Sequence, residues 1–415
     1  MTHVAIVYPR AILDTVPSLV GAAEVLAEHG HDVDVLTYTS AGQPPAHFAS
    51  ERIQLRSLGV EGLADHSTAS LRSAVRQAGW LPRAARAPLA RGYAALGAGL
   101  AHGSRLVARV RSRPTAYDCV IGVDPDGLEL AASMAAGAPL GYYSLELLLS
   151  DELTTPAERQ LKRRERELAQ RAAFVIVQDE ARARLLVEDN DLDPGRVVLV
   201  PNAPMGPARR RQARNWHERF GLAPEQRVVL HAGSLGDWTG IDDLVAHVPT
   251  WPEPWVLVVH TRYDGESSPY VERLRANADA RRVLFSLKPV ERQAYDELID
   301  SADIGLAFYV STADSAYTQR NVQTIGLSSG KLAYYLRGGL PVVVNSAASI
   351  GSALEGAGCG VAVEDAAQVG PALAHIGERY QAFSGAALAF FDERLDFRRA
   401  FEGVLERVEA LAVRA

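Results

Sequence analysis

Gly326-Leu327-Ser328-Ser329-Gly330-Lys331-Leu332-Ala333-Tyr334-Tyr335-Leu336-Arg337-Gly338-Gly339-Leu340-Pro341-Val342-Val343-Val344 is the stretch on which the reading of this chain turns. Ser328 and Ser329 stand where a helix N-cap belongs. Gly330 lets a ligand approach the backbone closely, and Lys331 opens a helical run that Gly338 and Gly339 end. Pro341 then starts an apolar, strand-like run. The N–H groups of the first helical turn point outward with the positive end of the helix dipole behind them, and Lys331 adds a full charge. A diphosphate suits that combination. A serine-capped helix also needs no ligand at all, and the spacing is not that of a Walker loop, because Ile325 stands where its first glycine would be.

Lysine is scarce here. Of 43 Lys and Arg residues only Lys162, Lys288 and Lys331 are lysine. Lysine supplies a compact charge on a flexible stem, where arginine supplies a planar fork. Lys288 closes the strand-like run Arg282–Leu287. Lys288 and Lys331 can therefore both face a ligand at the carboxyl edge of a parallel sheet.

Outward from this block the chain alternates strand and helix. Val4–Tyr8, Pro17–His29 and Asp32–Tyr38 read as strand, helix, strand, hence a parallel pair with a crossover. Cys119–Val123, Leu140–Tyr143, Phe174–Val177 and Val197–Val200 continue the series, with a helix over Gly127–Ala136. Pro201–Gln226, with Pro204, Pro207 and Arg209-Arg210-Arg211, reads as a linker. A second series follows, with strands at Val228–Ala232, Trp255–His260, Arg282–Ser286, Ile304–Phe308, Pro341–Asn345 and Gly360–Val363, and helices at Glu291–Ser301 and Lys331–Arg337. The expected architecture is α/β, with two Rossmann-like domains facing a cleft. The expected boundaries are 1–201, 202–389 and a C-terminal helical tail, 390–415, crossing back to the first domain.

A chain of 415 residues suggests two or three domains. The net charge of −7 argues against a nucleic-acid binder. Cys119 and Cys359 form neither a metal motif nor a disulfide framework, and the expected compartment is the reducing cytosol. The opening Met1–Tyr8 reads directly as a strand, so no leader is expected, and no apolar run reaches membrane-spanning length. Between Asp65 and Asp118 there is no acidic residue, while nine arginines fall within 72–113. That segment reads either as a pair of solvated helices or as a face for an anionic acceptor or an anionic membrane surface, which would place the protein peripherally at the inner face of the membrane.

The 326–344 block resembles the nucleotide-binding block of GT-B glycosyltransferases, above all the retaining group called family 4. Its Lys-x-x-Glu-Tyr-x-x-x-Gly-x-Pro-Val-Val pattern is matched at Lys331, Tyr335, Gly339, Pro341, Val342 and Val343. Val200-Pro201-Asn202, Leu230-His231-Ala232-Gly233-Ser234-Leu235, Gly240–Leu244 and Leu26–Val33 resemble further landmarks in order. The resemblance implies transfer of a sugar from a nucleotide diphospho-sugar, such as a UDP-sugar, to a hydroxyl or amine, with retention and without a bound metal. The donor is a co-substrate and no resident cofactor is implied. The acceptor would be a small molecule, a glycan or a lipid-linked acceptor. The family's acidic pair falls here on Gly326 and Tyr334, and its Arg/Lys diphosphate grip falls on Ser234 and Thr239.

Phosphate charge then falls to Lys331, Lys288, Arg262, Ser328, Ser329 and the backbone at Gly330. Tyr317, Asn321, Gly326, Leu287, Tyr334, Gly233 and Ser234 are the candidates for the donor sugar and nucleotide. Glu146, after the strand ending at Tyr143, and Asp124, after the strand ending at Val123, are the candidate catalytic carboxylates; each also reads as an ordinary surface or turn residue. The rival readings are a sugar-nucleotide epimerase or pseudo-glycosyltransferase, and a degenerate glycosyltransferase-like partner protein.

Overall fold

The computed structural model describes residues 2–39, 46–60, 117–261, 265–266, 268–312, 318–346 and 349–412, the side chains of Val60, Gln293 and Ala412 apart. Arg262, Tyr317 and the arginine-rich segment 72–113 lie outside the described residues.

The first sheet holds β1 (His3–Tyr8), β2 (Asp32–Thr39), β3 (Ile53–Val60), β4 (Cys119–Val123), β5 (Leu140–Tyr143), β6 (Phe174–Val177) and β7 (Val197–Leu199), all parallel, in the order β3-β2-β1-β4-β5-β6-β7. Its helices are α1 (Pro17–Glu28), α2 (Asp124–Met134), α3 (Pro156–Ala169) and α4 (Glu180–Asn190). β1, β4, β5 and β6 are apolar almost throughout, as strands covered on both faces must be. α1 begins with Pro17 in its first turn, where a missing N–H does no harm.

The segment expected to be only a linker contributes to a core. It contains α5 (Asn215–Phe220), whose Trp216 is fully buried and donates its indole N–H to the Leu298 carbonyl at 2.8 Å.

The second sheet holds β8 (Arg227–Gly233), β9 (Trp255–Thr261), β10 (Val283–Ser286), β11 (Ile304–Ala307), β12 (Val342–Asn345) and β13 (Gly360–Val363), again parallel, in the order β10-β9-β8-β11-β12-β13. Around it lie α6 (Ile241–His247), α7 (Pro269–Asn277), α8 (Arg292–Asp300), α9 (Gln319–Gln323), α10 (Gly330–Arg337), α11 (Ile350–Gly356), α12 (Val369–Glu378) and α13 (Tyr380–Arg394). α10 is locked to the sheet by Tyr335. Its ring lies where a Cβ on Gly305 would be, and its hydroxyl donates to the Leu230 carbonyl at 2.9 Å and accepts from Ala232 N–H at 2.8 Å.

The C-terminal tail is two helices rather than one. α13 stops at Arg394, and α14 (Phe397–Ala412) packs on the first domain. Phe397, Phe401, Val404, Leu405 and Val408 of α14 are buried with α1 residues. Gly21 permits this approach, since a Cβ there would stand 2.7 Å from the Phe397 ring. Each sheet reverses its strand order once, between β1 and β4 and between β8 and β11. Ligands of open α/β sheets bind outside the strand carboxyl ends at such reversals.

Candidate functional site

At the β8/β11 reversal stand Gly233, which ends β8, and Tyr309, two residues beyond β11. Lys331, in the first turn of α10, lies between them. Its side chain is 8% exposed, and its Nζ lies 5.5 Å from the centroid of the Tyr309 ring. A Cβ on Gly233 would sit 3.1 Å from the lysine Cε, so glycine opens the path for this stem. Ser329 caps α10, its Oγ accepting Leu332 N–H at 3.2 Å and bonding the Tyr309 hydroxyl. His231 is fully buried nearby, and burial, followed by the charge of Lys331, holds it well below the ordinary histidine range. It is therefore neutral, and Lys331 carries the positive charge of this corner.

Gly330 and Ser328 meet the other domain. A Cβ on Gly330 would lie 3.2 Å from Pro17 of α1 and 3.4 Å from Asn202. Asn202 donates to the Ser328 carbonyl at 3.0 Å and accepts Ser18 N–H at 3.3 Å, so the start of α10 faces the start of α1. Gly326 has φ +33°, and a Cβ on it would overlap the Asp179 carboxylate, which also accepts Leu327 N–H at 3.2 Å.

The facing reversal, β1/β4, carries charge of both signs. Asp124 is 3% exposed with φ +57°, a left-handed conformation in which a short polar side chain is tolerated best. Its Oδ1 accepts Leu145 N–H at 2.8 Å and Glu146 N–H at 2.9 Å. Burial, opposed by Arg10, pushes its carboxyl up to about 7. Arg10, just past β1, reaches Asp124 at 3.7 Å and Asp126 at 3.8 Å. Glu146 presents a 52% accessible side chain 3.7 Å from the Arg182 guanidinium. Partial burial raises its pKa, and Arg182 and then Arg10 oppose the rise.

Arg182, 1% exposed, joins the two halves: one Nη donates to the Leu145 carbonyl at 2.7 Å and to Asn321 Oδ1 at 3.2 Å, and the other to Ser328 Oγ at 3.4 Å. Ser328 and Asn321 are thus tied through Arg182 to Leu145 and Glu146, while Lys331, Ser329 and Gly233 gather with Tyr309 at the start of α10. Asn321 is 2% exposed, with its amide engaged by the Leu147 main chain. Ser234 follows Gly233 and is partly exposed.

Other candidates stand elsewhere. Tyr334 is 5% exposed and packs edge-on against Tyr295 with ring centroids 4.9 Å apart, in the core of the second domain. Leu287 is buried, with its carbonyl accepting Gly265 N–H at 3.0 Å. Lys288 is 67% exposed and pairs with Glu266 at 3.7 Å. Lys162, the third lysine, is buried in a paired network with Glu165 and Asp189. Among the described residues no cluster of His, Cys, Asp and Glu could hold a metal, and no helix is long and apolar enough to cross a membrane. Sequence reasoning passed over Arg10, Arg182 and Tyr309. Arg10 had a signal, its place two residues after the first strand; a buried arginine among forty has none.

Comparison with known proteins bears on the fold. Residues 17–203 match the family described as glycosyl transferase 4-like domain. No curated protein sequence matches the chain. Among solved structures, sucrose-phosphate synthase from Thermosynechococcus elongatus superposes with a TM-score of 0.65 at 13% identity, covering 100% of both chains. Anabaena HepE in complex with UDP-glucose gives 0.65 at 14% identity over 99% of this chain and 100% of its own. Trehalose 6-phosphate synthase from Burkholderia multivorans gives 0.59 at 13% identity over 100% and 97%. The chain has the GT-B fold of the glycosyltransferases, and its N-terminal half matches the glycosyl transferase 4-like domain.

Proposed function

We propose that the protein is a glycosyltransferase that moves a sugar from a nucleotide diphospho-sugar to a hydroxyl or amine acceptor, with retention. The C-terminal domain holds the donor and the N-terminal domain the acceptor. The observation that carries this reading is Lys331, held at the β8/β11 reversal between Gly233 and Tyr309, beside the serine-capped start of α10. A similar fold, HepE, was crystallised with UDP-glucose, which supports a UDP-sugar as the donor to try first.

Transfer develops an oxocarbenium ion and a leaving diphosphate. Lys331 and the N–H groups of the first α10 turn supply preorganised positive potential where negative charge grows. In a front-face reaction the leaving phosphate oxygen takes the acceptor proton, so no strong protein base is required. Glu146, the accessible carboxylate, holds the acceptor hydroxyl, and Asp124 orders the Leu145-Glu146 backbone beneath it. The reading calls for no resident metal or cofactor and places the protein in the cytoplasm or peripherally at the inner face of the membrane.

The test is a thermal-shift panel of UDP-, GDP-, dTDP- and CMP-sugars, followed by nucleotide release with and without acceptors and product mass. Stabilisation by one donor and acceptor-dependent release support the reading. No stabilisation by any donor favours a degenerate partner protein, a reading that Gly326 and Tyr334, at the family's acidic positions, keep in play. Release with a rearranged sugar and no acceptor indicates an epimerase.

A further inference from the structure

We infer that Tyr309, pinned by Asn345, is a positioning residue that presets both positive elements of the donor site, the Lys331 ammonium and the capped start of α10. The inference rests on the reading of that site as the diphosphate site.

Tyr309 lies past the end of β11, where a loop would ordinarily be free to move. Asn345, the last residue of β12, removes that freedom. Its Oδ1 accepts Tyr309 N–H at 2.9 Å and its Nδ2 donates to the Tyr309 carbonyl at 2.7 Å, extending the ladder by one side-chain amide. Tyr309 is 3% exposed and Asn345 8%, so both are fixed by packing. One ring then serves two purposes. Its face lies 5.5 Å from Lys331 Nζ, within cation–π range. Its hydroxyl bonds Ser329 Oγ, fixing the rotamer in which that oxygen caps Leu332 N–H. A lysine loses considerable rotamer freedom when it grips a ligand. A stem threaded past Gly233 onto an aromatic face has lost much of that freedom before the ligand arrives, which is the physical content of preorganisation. A merely structural Tyr309 would support the whole domain; a positioning Tyr309 acts selectively on the diphosphate.

The experiment measures binding of UDP and of uridine to the full chain by ligand-observed NMR and calorimetry, for wild type, Tyr309→Phe, Tyr309→Leu and Lys331→Ala. Tyr309→Phe keeps the ring and its volume, and is expected to lower UDP affinity about 5-fold through the lost hydroxyl bond. Tyr309→Leu loses the ring face as well and is expected to lower it about 20–50-fold. Uridine affinity should stay within about 2-fold in both, because uridine carries no charge for Lys331 to meet. If UDP affinity is unchanged in both Tyr309 variants while Lys331→Ala lowers it, the inference falls and the diphosphate site stands. Equal losses for UDP and uridine would show a structural residue only and overturn it. If Lys331→Ala leaves UDP affinity unchanged, or wild type prefers UDP no more than uridine, the site reading itself fails. Should Tyr309→Leu not fold, Tyr309→Phe carries the test.

Discussion

Asn321 pairs with Leu147 across the domain boundary as one amide pairs with another. Leu147 N–H donates to Asn321 Oδ1 at 3.0 Å, and Asn321 Nδ2 returns a bond to the Leu147 carbonyl at 2.7 Å. The pair is buried, so truncating one side leaves two main-chain groups unpaired where the domains meet. Asn321→Ala is expected to weaken closure by about 2–3 kcal/mol. Small-angle scattering of the ligand-free protein should show a larger radius of gyration. An unchanged radius would mean that the other cross-domain contacts, such as Arg292 with Glu24 at 3.0 Å, hold the domains alone.

Lys331→Ala removes the positive charge that neutral His231 cannot replace. UDP binding is expected to weaken by about 1.5–3 kcal/mol, the range for a hydrogen bond to a charged group. Calorimetry measures it, with Lys288→Ala as the comparison. Lys288 is two-thirds exposed and paired with Glu266, so its removal should change affinity by less than about 1 kcal/mol.

Much of this fold was legible because parallel strands buried on both faces read as apolar runs. Val4–Tyr8 and Cys119–Val123 are such runs. β3 escaped because Gln54, Arg56 and Ser57 on it are exposed, so it carries no such run. The proline-rich linker hid Trp216, a core residue whose partner, the Leu298 carbonyl, lies 82 residues away. The Leu395-Asp396 break left no mark in the hydrophobic pattern of the tail. Within the candidate site, the Ser329 cap was legible from capping chemistry, and the scarcity of lysine singled out Lys331. Arg182 and Tyr309 act through contacts 139 and 20 residues distant, which no local spacing records. Asn321 was read as lining the donor sugar; its amide instead faces the Leu147 main chain.

Gly326 is expected to tolerate no side chain. Its φ of +33° strains an L-residue, and its missing Cβ makes room for the Asp179 carboxylate. Gly358, with φ +70° and nothing near its absent Cβ, separates these two effects. Gly358→Ala should lose about 1 kcal/mol through backbone strain alone, whereas Gly326→Ala should lose about 2–4 kcal/mol through strain plus displacement of Asp179. Urea denaturation of both variants measures the difference. Equal losses would show that Asp179 moves aside without penalty.

Asp124 should leave a signature in the pH dependence of stability. Burial raises its carboxyl from the ordinary 3.8 to about 7, against the pull of Arg10 and with the help of Asp126 and Glu146. Between those values the folded protein keeps a proton that the unfolded chain has released. Stability contributed by this group is therefore present at low pH and lost as pH rises toward 7. Asp124→Asn retains an oxygen able to accept the Leu145 and Glu146 N–H groups and has no proton to lose. From about pH 5 to about pH 8 the wild type should lose about 2–3 kcal/mol relative to the variant, at 1.36 kcal/mol per pKa unit. Denaturant unfolding at the two pH values measures it. Stabilities that run parallel would mean that Arg10 holds the carboxylate ionised throughout.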